Sequence, residues 1–218
     1  NIYIVSSNTD KAYLQKYFFG SSKKFFVNPN WVSQKESSTP INKRAENKVL
    51  SVGRLEYQKN YEYLIKELNN TNIEIDIYGI GSLKDYLLDL AKKNKVKLNI
   101  FDNIPNKELL DIMENYKIFC LVSHFEGNPK VMLESMSRGC VCITKNIQNN
   151  SEIIENDING ILINNKQDEL KEKLLETLGD NNKLEQLSSE AKKTIKNKFS
   201  FENALNFEIQ NYSLFNNS

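Results

Sequence analysis

The chain has 218 residues, 39% hydrophobic and 26% charged, the balance of an ordinary globular protein with room for one sizeable core. Its 29 Lys and Arg against 28 Asp and Glu leave a net charge of +1, which excludes a broad nucleic-acid footprint, since that needs a clear basic excess. No apolar run approaches the roughly 18 residues of a membrane-spanning helix, and no signal-peptide pattern is read at the start.

The first residue is Asn1, not Met, and it leads directly into an apolar run, so the chain reads as a piece of a longer protein. NIYIVSS predicts a strand and TDKAYLQKYFF a helix, with Thr9 or Asp10 as its N-cap. KKFFVNPNWV holds an extended piece, and SQKESSTPINKRAEN reads as a polar linker.

From Lys48 the period alternates cleanly between strand and helix. The strands are KVLSVG, IEIDIYG, KLNIFD, IFCLVS, CVCITK and GILIN. Between them come the helices NYEYLIKELN, SLKDYLLDLAKKN with Ser82 as cap, NKELLDIMENY, KVMLESMSRG and the short SEIIEN. The tail from Asp168 reads as three more helices. Strands separated by single helices imply right-handed crossovers. The expected fold class is therefore α/β, a Rossmann-like, mostly parallel sheet with helices on both faces. Such a sheet binds ligands at the carboxyl ends of its strands. The loops that matter then follow Val52, Tyr78, Phe101, Val122 and Thr144.

Three of those loops carry candidate site residues. In GRLEYQKN, Gly53 ends a strand, and Arg54 and Lys59 stand where a helix opens, a pairing suited to a diphosphate. In YGIGSL, Gly79 and Gly81 permit a close backbone approach to a ligand. In FEGNPKVMLESMSRG, Glu126 sits on a glycine turn and Glu134 two helical turns further on. Pro129 fits a first helical turn, leaving Gly127 and Asn128 with free amides. Each feature alone also suits a solvated loop or helix face; their combination is harder to assign to chance. His124 reads as structural, and a single histidine assembles no nucleophilic triad. Cys120, Cys140 and Cys142 lie in apolar segments and read as reduced, buried thiols, with no metal-ligand spacing.

In order, VGRLEYQKN, IYGIGSL, EGNPKVMLESMSRGCVCIT and the NGILI strand resemble the C-terminal, donor-binding domain of retaining glycosyltransferases of the GT-B fold, from about Phe26 to about Phe215. The resemblance implies that Arg54 and Lys59 bind the donor diphosphate. Glu126, the candidate catalytic residue, would lie beside the transferred sugar and Glu134 would bind the ribose. Gly127, Asn128, Pro129, Lys130 and Val131 would line the sugar and phosphates. It further implies transfer of a hexose, with retention, from a nucleotide-diphosphate sugar (UDP the expected nucleotide) to a glycan or lipid-linked acceptor such as a lipopolysaccharide precursor. No metal or other cofactor is expected. The setting is a bacterial cytoplasm, with peripheral contact at the inner membrane face. Residues 1–27 would belong to an otherwise missing acceptor domain, 28–48 to a linker, 49–198 to the nucleotide-sugar domain, and 199–218 to a helix crossing back. Two departures stand out: EGNP replaces the family's usual EGFG-type turn, and KNIQNNSEII lacks a glycine pair. Rival readings are a nucleotide-sugar epimerase of similar fold and a non-catalytic donor-binding module. A response-regulator-like receiver would need an acidic cluster where GRLEYQK stands.

Overall fold

The computed structural model describes residues 2–18, 24–33 and 39–216, with side chains of the last helix through 211. Part of the expected linker, residues 34–38, lies outside the described residues. At the amino end Ile2–Val5 is β1, Asn8–Tyr17 is α1 and Lys24–Val27 is β2; the two strands pair in parallel as a small separate sheet. Ser7, not Thr9 or Asp10, caps α1. It stands in extended backbone, from which its hydroxyl accepts the Asp10 amide at 3.0 Å, while Thr9 and Asp10 fall inside the first turn.

The main body runs β3 (Ala45–Val52), α2 (Tyr61–Glu67), β4 (Glu74–Tyr78), α3 (Lys84–Lys93), β5 (Leu98–Phe101), α4 (Asn106–Met113), β6 (Tyr116–Leu121), α5 (Lys130–Ser137), β7 (Val141–Lys145), α6 (Gln148–Ser151), β8 (Ile161–Ile163), α7 (Glu169–Gly179), α8 (Asn181–Lys198) and α9 (Phe201–Asn216). Four details differ from the sequence expectation, one being that Tyr116, read as the end of a helix, opens β6. β3 begins at Ala45 rather than Lys48, because Ala45 donates to the Asn115 carbonyl at 3.0 Å before the register with β6 slips. The polar Glu46 and Asn47 hide that extension from any hydrophobic pattern. Ser82 does not cap α3; it is drawn away by the Glu56 carboxylate, which accepts its amide and its hydroxyl, each at 3.0 Å. The expected SEIIEN helix forms earlier, as α6. Buried Asn150 pins it there by donating to Thr144 Oγ1 at 2.6 Å and to the Lys145 carbonyl at 3.1 Å.

The six-stranded sheet has the order β5-β4-β3-β6-β7-β8, and every neighbouring pair is parallel. Alternate residues point to opposite faces. One face buries Val49, Ile75, Ile77, Ile118 and Ile143 beneath α2, α3 and α7. The other buries Leu50, Phe119, Leu121 and Cys142 beneath α4 and α5. The amino half of α8 (Leu184, Leu187) serves the first face and its carboxyl half (Ala191, Ile195) the second. Cys120, Cys140 and Cys142 are free and buried, and burial pushes the Cys120 and Cys140 thiols up to about 12. No helix of the described residues is long and apolar enough to cross a membrane.

A polar ladder crosses the otherwise apolar second face. Glu74 takes the Lys48 ammonium at 2.8 Å and that of Lys97 at 2.5 Å; Asp76 takes the Tyr116 hydroxyl at 2.6 Å and the Asn99 amide at 2.6 Å. Lys48 opposite Glu74 and Asp76 opposite Asn99 are cross-strand pairs. Lys48, then Lys97 and Asn99, hold the Glu74 carboxyl down to about 2, although burial alone would raise it. A depressed folded value contributes stability that is present above the unfolded value and is lost on acidification. Equilibrium urea unfolding should therefore weaken between the ordinary carboxyl value of 4.5 and about 2. Glu74→Gln should be less stable at neutral pH and should flatten that limb; an unchanged acid limb would show the ladder to be inert.

Candidate functional site

The strand order places the winding reversal between β3 and β6. Their following loops diverge there, and the crevice they leave lies at the carboxyl edge of the sheet. The loop after β3 supplies Arg54 and Lys59, and the loop after β6 supplies Ser123 to Pro129.

Lys59 and Glu126 meet across this crevice. The ammonium lies 2.6 Å from Glu126 Oε1, and their side chains are only 13% and 7% exposed. Ser123 Oγ donates to the same carboxylate oxygen at 2.5 Å. The approach has local causes. Asn60, the next residue, adopts a left-handed conformation (φ 54°) that asparagine tolerates, and its amide donates to the Val122 carbonyl at 3.2 Å. Gly53 lets the Lys59 chain pass: a Cβ there would stand 2.7 Å from Lys59 Cε. The buried Tyr61 hydroxyl donates to the Gly53 carbonyl at 3.2 Å, and burial raises the phenol well above its ordinary value, which keeps it a donor.

Arg54 stays exposed at the mouth. Its guanidinium reaches Gln58 Oε1 at 3.4 Å, and Gln58 in turn donates to the Phe125 carbonyl at 3.0 Å. The two cations thus sit on one loop, tied by different routes to the segment bearing Glu126. Glu134 belongs to a second centre. Its buried carboxylate accepts from Asn106 Nδ2 at 2.9 Å and lies 4.0 Å from Lys130 Nζ; it bonds to neither Arg54 nor Lys59. His124 stacks on Tyr57, ring centroids 4.5 Å apart, and burial followed by the Lys145 charge lowers its basicity.

The glycine loop packs closely on the loop after β3. A Cβ on Gly79 would lie 2.0 Å from the Gly53 carbonyl oxygen, and one on Gly81 would lie 2.5 Å from the Leu55 carbonyl oxygen. The close approach that these glycines permit is to the neighbouring loop. Gly53 donates to Tyr78 O at 3.0 Å, Leu55 to Ile80 O at 2.9 Å and Leu83 to Leu55 O at 3.0 Å. They are braces for the cationic loop.

At the EGNP turn, α5 starts with Pro129 as N-cap and no side-chain cap. The Pro129 carbonyl accepts from Met132 at 2.9 Å and Leu133 at 3.3 Å. Among the described residues, the amides of Gly127, Asn128, Lys130 and Val131 have no acceptor. Four free amides beside a lysine make an anion-binding surface. The opposite side of the turn is occupied: Asn128 Nδ2 donates to Ser6 O at 2.7 Å, Asn30 Nδ2 to Asn128 O at 2.9 Å, and Asn149 Nδ2 to Gly127 O.

Sequence reasoning missed Asn106, Ser123, Gln58, Asn60 and Asn149. Asn106 and Asn149 lie a fold element or more from the groups they hold, and Gln58, Asn60 and Ser123 are ordinary polar loop residues whose partners the fold selects. Only the left-handed Asn60, in a Lys-Asn pair before a helix, carried a local signal.

The profile of the family described as glycosyl transferases group 1 matches residues 33–194. An uncharacterised glycosyltransferase of Methanocaldococcus jannaschii is 29% identical over 198 residues, 87% of this chain and 51% of that protein. The UDP-Gal:α-D-GlcNAc-diphosphoundecaprenol α-1,3-galactosyltransferase of Escherichia coli is 32% identical over 180 residues, 72% of this chain and 45% of that protein. The chain thus spans about half the length of these curated relatives. The crystal structure of Staphylococcus aureus TarM with UDP superposes with a TM-score of 0.83 at 23% identity, covering 95% of this chain and 43% of that one.

Gly79→Ala should clash with a backbone carbonyl that cannot yield, costing about 2 kcal/mol or more. At Gly127 a Cβ meets nothing within 4 Å, so Gly127→Ala should stay within about 0.5 kcal/mol of the parent. Denaturant unfolding of the two variants checks the pair; equal losses would refute the brace assignment.

Proposed function

The chain belongs to the group 1 glycosyl transferases, and from that membership we propose that it is the donor-binding part of an enzyme that moves a hexose from a UDP-sugar to a glycan or lipid-linked acceptor, with retention at the anomeric carbon. The observation that carries this reading is the meeting of Lys59 and Glu126 at 2.6 Å across the crevice, beside the free amides of Gly127 and Asn128. One loop offers cations and the other offers a carboxylate and N–H groups, the chemistry that a sugar diphosphate requires.

In this reading Lys59 and Arg54 take the diphosphate. An ammonium has three donors, so Lys59 can keep Glu126 and still bind phosphate oxygens. Arg54, exposed and lightly held, can turn to the same group with its planar fork. As the bond to the anomeric carbon breaks, negative charge grows on the leaving diphosphate. In this reading Lys59 and the amides of Gly127 and Asn128, joined by those of Lys130 and Val131 at the start of α5, meet that charge, and Arg54 turns to it. Glu126, held by Lys59 and Ser123, places a negative oxygen near the sugar, where an oxocarbenium-like centre develops. Glu134, oriented by Asn106, accepts hydrogen bonds from the ribose hydroxyls. Gly53, Gly79 and Gly81 hold the loops at the separation the donor needs.

The family match supports transfer over epimerisation. A lipid-diphosphate glycan is the acceptor class named for the Escherichia coli relative, and a cytoplasmic site near the inner membrane face suits such an acceptor. Residues 1–27 then belong to the acceptor-binding half of the enzyme, and 199–218 to the helix that returns to it.

Calorimetric titration with UDP tests the donor site. Lys59→Ala should weaken binding by about 30-fold and Arg54→Ala by about tenfold, the range for losing a charged hydrogen-bond donor. UDP affinities equal to that of the parent would overturn the diphosphate assignment. Retention is tested separately by NMR of the product made by the enzyme containing this chain. An α-linked donor should yield an α-linked product, and a β-linked product would overturn retention.

A further inference from the structure

We propose that Asn149 is a positioning residue that aims the donor turn, and that its second bond, to Ser7, couples that turn to the amino-terminal α/β unit. The proposal rests on the donor-site reading above and goes beyond it. It names what sets the orientation of the amides that face the diphosphate and sugar.

Asn149 is 8% exposed and lies in α6, beyond the neighbouring strand β7. Its amide nitrogen has two hydrogens and uses both: one on the Gly127 carbonyl, one on Ser7 Oγ at 3.3 Å. A peptide unit is planar and trans, so its N–H points away from its C=O. Fixing the Gly127 carbonyl toward Asn149 therefore turns the Asn128 N–H the opposite way. Among the described residues that N–H has no acceptor. Asn128 itself reinforces the setting, donating to Ser6 O at 2.7 Å while Asn30 Nδ2 holds its carbonyl at 2.9 Å. The turn is gripped along one side by three asparagines and left open on the other.

The grip extends into α1. Ser7, which receives Asn149, is also the N-cap of that helix. Glu152, three residues after Asn149, completes the join: its two oxygens accept the amides of Asn8 and Thr9, each at 3.0 Å, and the Thr9 hydroxyl at 2.7 Å. A carboxylate at a helix amino terminus is favourable in its own right. The orientation of the donor turn is thereby coupled to the seat of α1 on the main body. The two departures from the family pattern, EGNP and the missing glycine pair, meet here: Asn149 holds the turn that carries Asn128.

The test uses this chain as it stands, with Asn149→Ala and Asn149→Asp, titrated calorimetrically with UDP and with UMP. Asp keeps the shape of Asn but cannot donate. If Asn149 positions the turn, both variants unfold in one cooperative transition and bind UDP about tenfold more weakly. UMP, which lacks the second phosphate, should change by no more than about twofold. Equal weakening of UDP and UMP, or no change in either, overturns the proposal. Failure of both variants to fold also overturns it, leaving Asn149 a structural clamp. Asn149→Gln, which keeps the donor, should recover part of the UDP affinity; an effect equal to that of Ala would count against positioning. If the unmodified chain binds neither nucleotide, the donor-site reading fails first and is distinguished by that result alone.

Discussion

A single ion pair spans the place where the sheet reverses its winding. Lys59 arrives from the loop after β3 and Glu126 from the loop after β6, and neither is more than slightly exposed. A buried carboxylate without its partner is costly, as is a buried ammonium. The two loops are therefore bound to one another by more than proximity, and their separation is set by the length of one lysine and one glutamate. The candidate site depends on that spacing. Ser123 fixes one end of the pair; Gly53, Asn60 and Tyr61 fix the other. Little freedom remains in the bridge, so a ligand meets charges that are already placed.

Around this bridge the loops are braced from outside the cleft. The Gly79–Gly81 loop pairs backbone to backbone with Gly53–Leu55, and Glu56 adds a carboxylate clamp on Ser82. On the far side the EGNP turn is held by Asn30, Asn128 and Asn149. Each brace uses carbonyls and amides that point away from the crevice. Beside the Lys59–Glu126 bridge, the amides of Gly127, Asn128, Lys130 and Val131 have no acceptor among the described residues, an arrangement that pre-organises a polar site.

Family membership explains why a chain about half the length of its relatives nonetheless carries a coherent centre. A doubly wound sheet covered on both faces buries its own core, and it keeps its reversal point whatever is attached to it. The small β1–β2 sheet is joined to the main body at the same turn that faces the proposed donor, through Ser6, Ser7 and the amino terminus of α1. A change of seat in that unit would act on the turn through asparagine side chains, across a few ångströms of hydrogen bonds.

The amino-acid sequence by itself determined the alternation of strand and helix, the parallel sheet covered on both faces, the loops at its carboxyl edge and the family. The first three follow from short-range periodicity and from glycines and charges at strand ends; the family follows from the resemblance of its ordered motifs. Its errors were also local ones. Ser82 has the look of a helix cap until Glu56, distant in sequence, claims it. Ala45 hides in a polar stretch until Asn115 pairs with it. Only the tertiary structure decided that Gly79 and Gly81 brace a neighbouring loop, that Lys59 rests on Glu126 while Arg54 stays at the mouth, that Asn106 orients Glu134, and that Asn149 grips Gly127. The reason is that hydrogen bonds and ion pairs choose partners by distance in space. A side chain's own sequence neighbourhood sets which bonds it is able to make, and the folded sheet sets which groups come within reach to receive them.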